Sequence, residues 1–155
     1  MFAARVRPAD FEEAETLHVL PGAEIFELDG VRLFDDAVRC HSVTLVPAER
    51  APGLGEADYT TASLYTELAA RGIVPTRARY TAHSSLVPPD EAPLLDLDGG
   101  APALHIEQLT YDQYGRPCEY NRVVYRADRY RYRYRFHATL TAGPGEGRMA
   151  PGVGT

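Results

Sequence analysis

Four side chains in this chain have the types and spacing to meet around a ligand. Glu119 lies two places past Pro117 in a run of β-forming residues, Cys118, Tyr120, Val123, Val124 and Tyr125. A carboxylate in such a strand either faces solvent or is turned inward for a reason. Tyr125 follows six residues later, and the two-residue period of a strand puts both on one face. Arg32 sits inside an apolar strand, and Ser63 falls in the first turn of a central helix, where free N–H groups and a hydroxyl can hold an anion. Arg, Glu, Ser and Tyr on one concave surface suit a small, polar, anionic ligand. A plainer arrangement stays open, in which Arg32 and Glu119 are exposed or only pair with each other.

Other chemistry-bearing patterns carry less. Arg129, Arg131, Arg133 and Arg135 alternate with Tyr130, Tyr132, Tyr134 and Phe136, and interleaved basic and aromatic residues can bind single-stranded nucleic acid. In a strand, however, alternation sends the arginines to solvent and the aromatics to the core, with no ligand required. The net charge of −6 also argues against a nucleic-acid binder. His18, His41, His83, His105 and His137 show no metal-ligand spacing, and His83-Ser84-Ser85 places neighbours on opposite faces, a weak arrangement for a nucleophile and base. Gly143, Gly145 and Gly147 do not match a phosphate-binding loop. No metal and no cofactor are expected. Cys40 and Cys118 read as small buried hydrophobes of a reducing cytoplasm.

The elements that must position these residues follow from pattern. The 155 residues, 45% hydrophobic and 25% charged, suit one soluble domain with no membrane span, expected in the cytoplasm. Phe2–Val6 reads as a short strand. Asp10 caps a helix carrying Ala14, Leu17 and Leu20, stopped at Pro21-Gly22. Glu24–Phe34 and Val38–Val46 form a hairpin about Asp35-Asp36. After a loop over 49–58, Asp58 to Thr61 offer caps for a helix over Ala62–Arg71. Arg77–Leu86 is a strand, Glu91–Leu97 a short helix, and a second hairpin turns at Asp112–Gly115 before Pro117. A last strand is expected over Tyr130–Leu140, and residues 141–155 form a disordered tail.

Entry at Pro and acid, helix, stop, strand, Asp turn, strand describes Pro8–Pro47 and again Pro88–Arg126. Two helix-plus-hairpin units joined by a longer helix predict an α+β fold: one antiparallel sheet with helices mainly on one face.

Several motifs also resemble a known family. Ser63-Leu64-Tyr65, Leu94-Leu95-x-Leu97-x-x-Gly100, Tyr111-Asp112-x-x-Gly115-Arg116-Pro117-x-Glu119 and Tyr125-Arg126-x-Asp128-Arg129-Tyr130 are similar to the UTRA domain, the effector-binding half of the HutC subfamily of GntR transcription regulators. The likeness runs from about Ala3 to Leu140, so residues 1–140 are taken as the domain. It implies a chorismate-lyase-like fold, usually dimeric, binding small effectors such as sugar phosphates or amino-acid derivatives. Family ligand contacts would fall on Arg32, Ser63, Glu119 and Tyr125, and less directly on Arg77. Two departures stand out. The family's Arg-x-Arg is reduced here to Gly30-Val31-Arg32, which weakens a sugar-phosphate assignment. No winged helix-turn-helix precedes the resembling region, so the chain is expected to lack direct DNA binding.

The expected function is therefore a homodimeric effector-binding domain of a transcription regulator, taking a small anionic metabolite. The alternative is a stand-alone lyase or cyclase on the same fold, with Glu119 as general acid/base, Arg32 as anion holder and Tyr125 or His41 as helpers.

Overall fold

Asp35 and Asp36 set the first hairpin. Both take left-handed backbone angles, φ 49° and 60°, and a two-residue turn of that hand matches the twist of the strands it joins. In the computed structural model, which describes residues 2–133 and 135, this turn links β2 (Glu24–Phe34) to β3 (Ala37–Pro47). The second hairpin joins β5 (Pro102–Asp112) to β6 (Pro117–Arg126). Its turn is built by one carboxylate: Asp112 accepts from the backbone N–H groups of Tyr114 and Arg116, both at 2.9 Å, and from the Arg116 guanidinium.

With β1 (Phe2–Pro8) and β4 (Pro75–Leu86) the strands form one antiparallel sheet, ordered β1-β2-β3-β6-β5-β4. The expected α+β class and the repeat are both present. The repeating unit starts one strand earlier than the sequence suggested: β1, helix, β2, β3 is matched by β4, 3-10 turn, β5, β6, and the units meet at β3 and β6.

Strand register sorts the residues between two faces. One face carries Ile25 and Leu45, covered by α1 (Phe11–Leu17) through Ala14 and Leu17, and Ala103 and Val124, covered by the 3-10 turn Ala92–Leu95. The other carries Phe26, Leu28 and Val46, packed beneath Leu68 of α2 (Leu64–Ala70). The two repeat helices thus share a face and the joining helix covers the reverse.

Local chemistry explains where the elements end. Asp10 caps α1 reciprocally with Glu13, and Arg7 ties that Glu13 to Glu27 of β2. His18 then turns left-handed and ends the helix, leaving Leu20 outside it and exposed. Asp58 does not cap α2; its side chain accepts from Thr60, making a local turn instead, and α2 begins only at Leu64. The expected strand from Tyr130 is not formed by Tyr130–Arg133 or Arg135. Tyr130 stacks on Tyr125, ring centroids 3.8 Å apart, and Tyr132 is exposed, so the core-facing aromatic row does not arise there. The remainder of that strand and the tail over 141–155 lie outside the described residues.

Candidate functional site

Glu119 is turned inward. It is 3% exposed and sits across from Thr110 of β5, whose hydroxyl donates to Oε2 at 3.1 Å. The phenol of Tyr65, from the first turn of α2, donates to the same oxygen at 2.7 Å. Gln108 braces both donors, its amide N–H₂ reaching the Tyr65 oxygen at 3.2 Å and Thr110 Oγ1 at 2.9 Å. Helix and sheet are therefore joined through one carboxylate. Burial pushes the Glu119 pKa above its ordinary 4.5, opposed by the Tyr65 and Thr110 hydrogen bonds and by the charge of Arg32. Burial and the adjacent carboxylate push the Tyr65 phenol up to about 12, so it stays a donor at neutral pH.

Above Glu119 lies a cavity of about 350 Å³, lined also by Arg32, Ser63, Tyr65, Asn121 and Leu28, within the size range of small-ligand sites. Asn121 follows Glu119 on the same face, and its Oδ1 accepts from Ser42 and Thr44 of β3. What it has left for a ligand is its N–H₂ group, two donors. The surface thus combines one buried acceptor with a guanidinium, an amide and hydroxyls, over an apolar floor.

The residues singled out by sequence fare differently. Arg32, Ser63 and Glu119 are brought together at this cavity. Ser63 is the residue before α2 and makes no capping bond; with only seven residues in the helix, it contributes a hydroxyl and not a helix field. Tyr125 shares the face of Glu119 but lies at its far end, opposite Cys40 and stacked on Tyr130. Arg32 links the two ends, since its charge acts on Glu119 and Tyr125 alike. Arg77 is not brought in: a register shift after Pro75 turns it to the reverse face, its guanidinium 4.6 Å from the Tyr111 ring centroid. His41 is also on the reverse face, bonded to Asp29, which removes it as a helper for Glu119.

Sequence reasoning missed Tyr65, Thr110, Gln108 and Asn121. Asn121 was available from the two-residue period that begins at Glu119. Tyr65 entered as part of the Ser63-Leu64-Tyr65 motif, with no role assigned, while Thr110 and Gln108 become neighbours of Glu119 only through cross-strand register.

Comparison with known proteins bears on the family and the fold. The UTRA domain matches residues 2–131. The HTH-type transcriptional repressor PhnF of Mycolicibacterium smegmatis is 39% identical over 122 residues, 78% of this chain and 50% of that protein. The HTH-type transcriptional repressor NagR of Bacillus subtilis is 32% identical over 109 residues, 70% of this chain and 44% of that protein. The chain thus spans about half the length of these two regulators. The crystal structure of the effector domain of PhnF from Mycobacterium smegmatis superposes with a TM-score of 0.81 at 35% identity, covering 88% of this chain and 84% of that one. The chain belongs to the UTRA domain family.

Proposed function

We propose that this chain is the effector-binding domain of a GntR-type transcription regulator and takes a small anionic metabolite in the cavity over Glu119. The observation that carries the reading is the buried carboxylate, held by Tyr65 from α2 and Thr110 from the sheet, with Arg32 and Ser63 at the same cavity. A preorganised buried carboxylate selects a ligand with a hydroxyl or amino donor, because a ligand that displaces Tyr65 or Thr110 from Oε2 without donating in their place leaves that bond unmade, at a cost of about 1–3 kcal/mol. Arg32 then takes the ligand's anionic group. Because Tyr65 belongs to the helix and Glu119 to the sheet, a ligand competing for Oε2 shifts α2 against the sheet, and a regulator can pass that shift through a dimer to a DNA-binding segment. We further propose a homodimer working in the cytoplasm.

The test is a thermal-shift screen of sugar phosphates, amino acids and aromatic acids. At one hundred times Kd, binding adds about 2.7 kcal/mol, or roughly 5–10 °C for a domain of this size. A stabilising ligand lost in both Glu119→Gln and Arg32→Ala supports the site; full retention in both variants refutes it. The lyase or cyclase reading uses the same buried Glu119, yet neither His41 nor Tyr125 stands beside it as a helper.

A further inference from the structure

The reverse face of the sheet carries a second cavity. Between α1 and the 3-10 turn Ala92–Leu95 a space of about 280 Å³ opens over His41, Glu91, His105, Glu107, Arg122 and Val124. It shares no lining residue with the Glu119 cavity. His41 is buried, and its Nε2 lies 2.7 Å from Asp29 Oδ1. A carboxylate accepts, so Nε2 carries a proton toward Asp29, and Nδ1 is the ring atom left facing the cavity. Facing it is Glu91. Its Oε1 is 3.7 Å from His41 Nδ1, beyond hydrogen-bond reach, and its Oε2 is buried with no hydrogen-bond partner among the described residues.

Glu91 thus keeps an unmet buried acceptor across a gap from Nδ1. What satisfies it is a group with N–H donors, and an ammonium offers three along with a positive charge. The carboxylates of Asp29, Glu91 and Glu107 gather there against one guanidinium, that of Arg122, which lies directly across from Glu107. His83 and His105 stack 5.0 Å apart at 18° and make one flat wall. No three His, Cys, Asp or Glu side chains among the described residues converge to hold a metal ion, so these imidazoles wall an organic site. The volume, just below the ~300 Å³ lower end of ordinary ligand pockets, sets a small occupant.

We propose that this cavity is a second binding site, for a small primary amine whose ammonium group sits between the Glu91 carboxylate and Nδ1 of His41. It is separate from the effector cavity proposed above, and its test does not depend on that reading.

The probes are ethanolamine and tyramine, each against its N-acetyl derivative, which keeps the shape and removes the charge. Binding is followed at pH 7.5 by the imidazole nitrogen resonances of His41 in the full chain. At least one amine is expected to shift these resonances saturably while its acetylated form does not. Glu91→Gln should weaken binding at least about tenfold, the loss of a hydrogen bond to a charged group, whereas Glu119→Gln should bind the amine as the wild type does. Asp29→Asn, at a half-exposed strand position, frees the imidazole tautomer and carries the same test if Glu91→Gln fails to fold. The proposal is overturned by no saturable shift with either amine, by an equal response to the acetylated forms, or by unchanged affinity in the folded variants. A His41 signal that moves with pH and never with amine also overturns it, reducing the pair to a proton switch.

Discussion

Replacing Tyr65 with Phe removes one oxygen and tests how Glu119 is held. The phenol donates to Oε2 at 2.7 Å and accepts a 3.2 Å bond from Gln108. A hydrogen bond to a charged group contributes about 1.5–3 kcal/mol. Tyr65 itself is 45% exposed, and water replaces part of what is lost, so Tyr65→Phe should cost about 1–2 kcal/mol. At roughly 2–4 °C per kcal/mol for a chain of this size, that is about 2–8 °C in Tm. The pH dependence is the sharper signature. Burial raises the folded-state pKa of Glu119 above 4.5, so the wild type loses stability as pH rises from 4.5 through that folded value. The Tyr65 bond favours the carboxylate and limits the loss. Its removal extends the window upward, so the variant's deficit is full well above the folded pKa and shrinks to that of a neutral hydrogen bond where Glu119 is protonated in both states. Urea unfolding at pH 7.5 and pH 4.0 reads this directly. An equal deficit at both pH values, or none at pH 7.5, would refute the ionised, phenol-held carboxylate.

Three further outcomes follow from other parts of the structure. Asp112→Ala should cost about 2–3 kcal/mol in urea unfolding, since it leaves the turn N–H groups of Tyr114 and Arg116 without their acceptor, while Asp112→Asn should recover part of that. Although burial pushes the Asp112 pKa up, the Arg116 backbone and side-chain bonds leave it below 3.8; this contribution is present above 3.8 and is lost as pH falls through the lower folded value. Arg126→Ala should cost about 1–3 kcal/mol in the same assay, because it strands the carbonyls of Leu95 and Asp96 that the buried guanidinium bonds, while Asp128 is exposed enough to be hydrated; hydrogen exchange should show the 3-10 turn opening first. Arg77→Ala should leave effector affinity within about twofold in calorimetry, because its side chain lies over Tyr111 on the reverse face.

Much of the architecture is legible because local rules and global fold agree. Glu24–Phe34 is a strand in both readings, since its apolar run ends at an Asp-Asp pair able to take the left-handed turn. Elements shifted where a polar side chain had two options: Asp58 was free to cap α2 or to close its own turn, and took the turn. Tyr130 was free to extend a strand or to fold onto Tyr125, and it stacks. In the site, Glu119 stood out as a carboxylate among apolar neighbours. Its partners did not, because Thr110 meets it only once the hairpin register is known and Tyr65 only once α2 is laid on the sheet. A single register shift after Pro75 was enough to send Arg77 to the wrong face.

The most direct test of the effector site is a map of backbone amide shifts on adding the strongest stabilising metabolite from the screen. The account predicts changes concentrated at Arg32, Ser63 to Tyr65, Gln108 to Thr110 and Glu119 to Asn121, and their loss in Glu119→Gln. Changes centred on His41, Glu91 and His105, or the same map in Glu119→Gln, would contradict it.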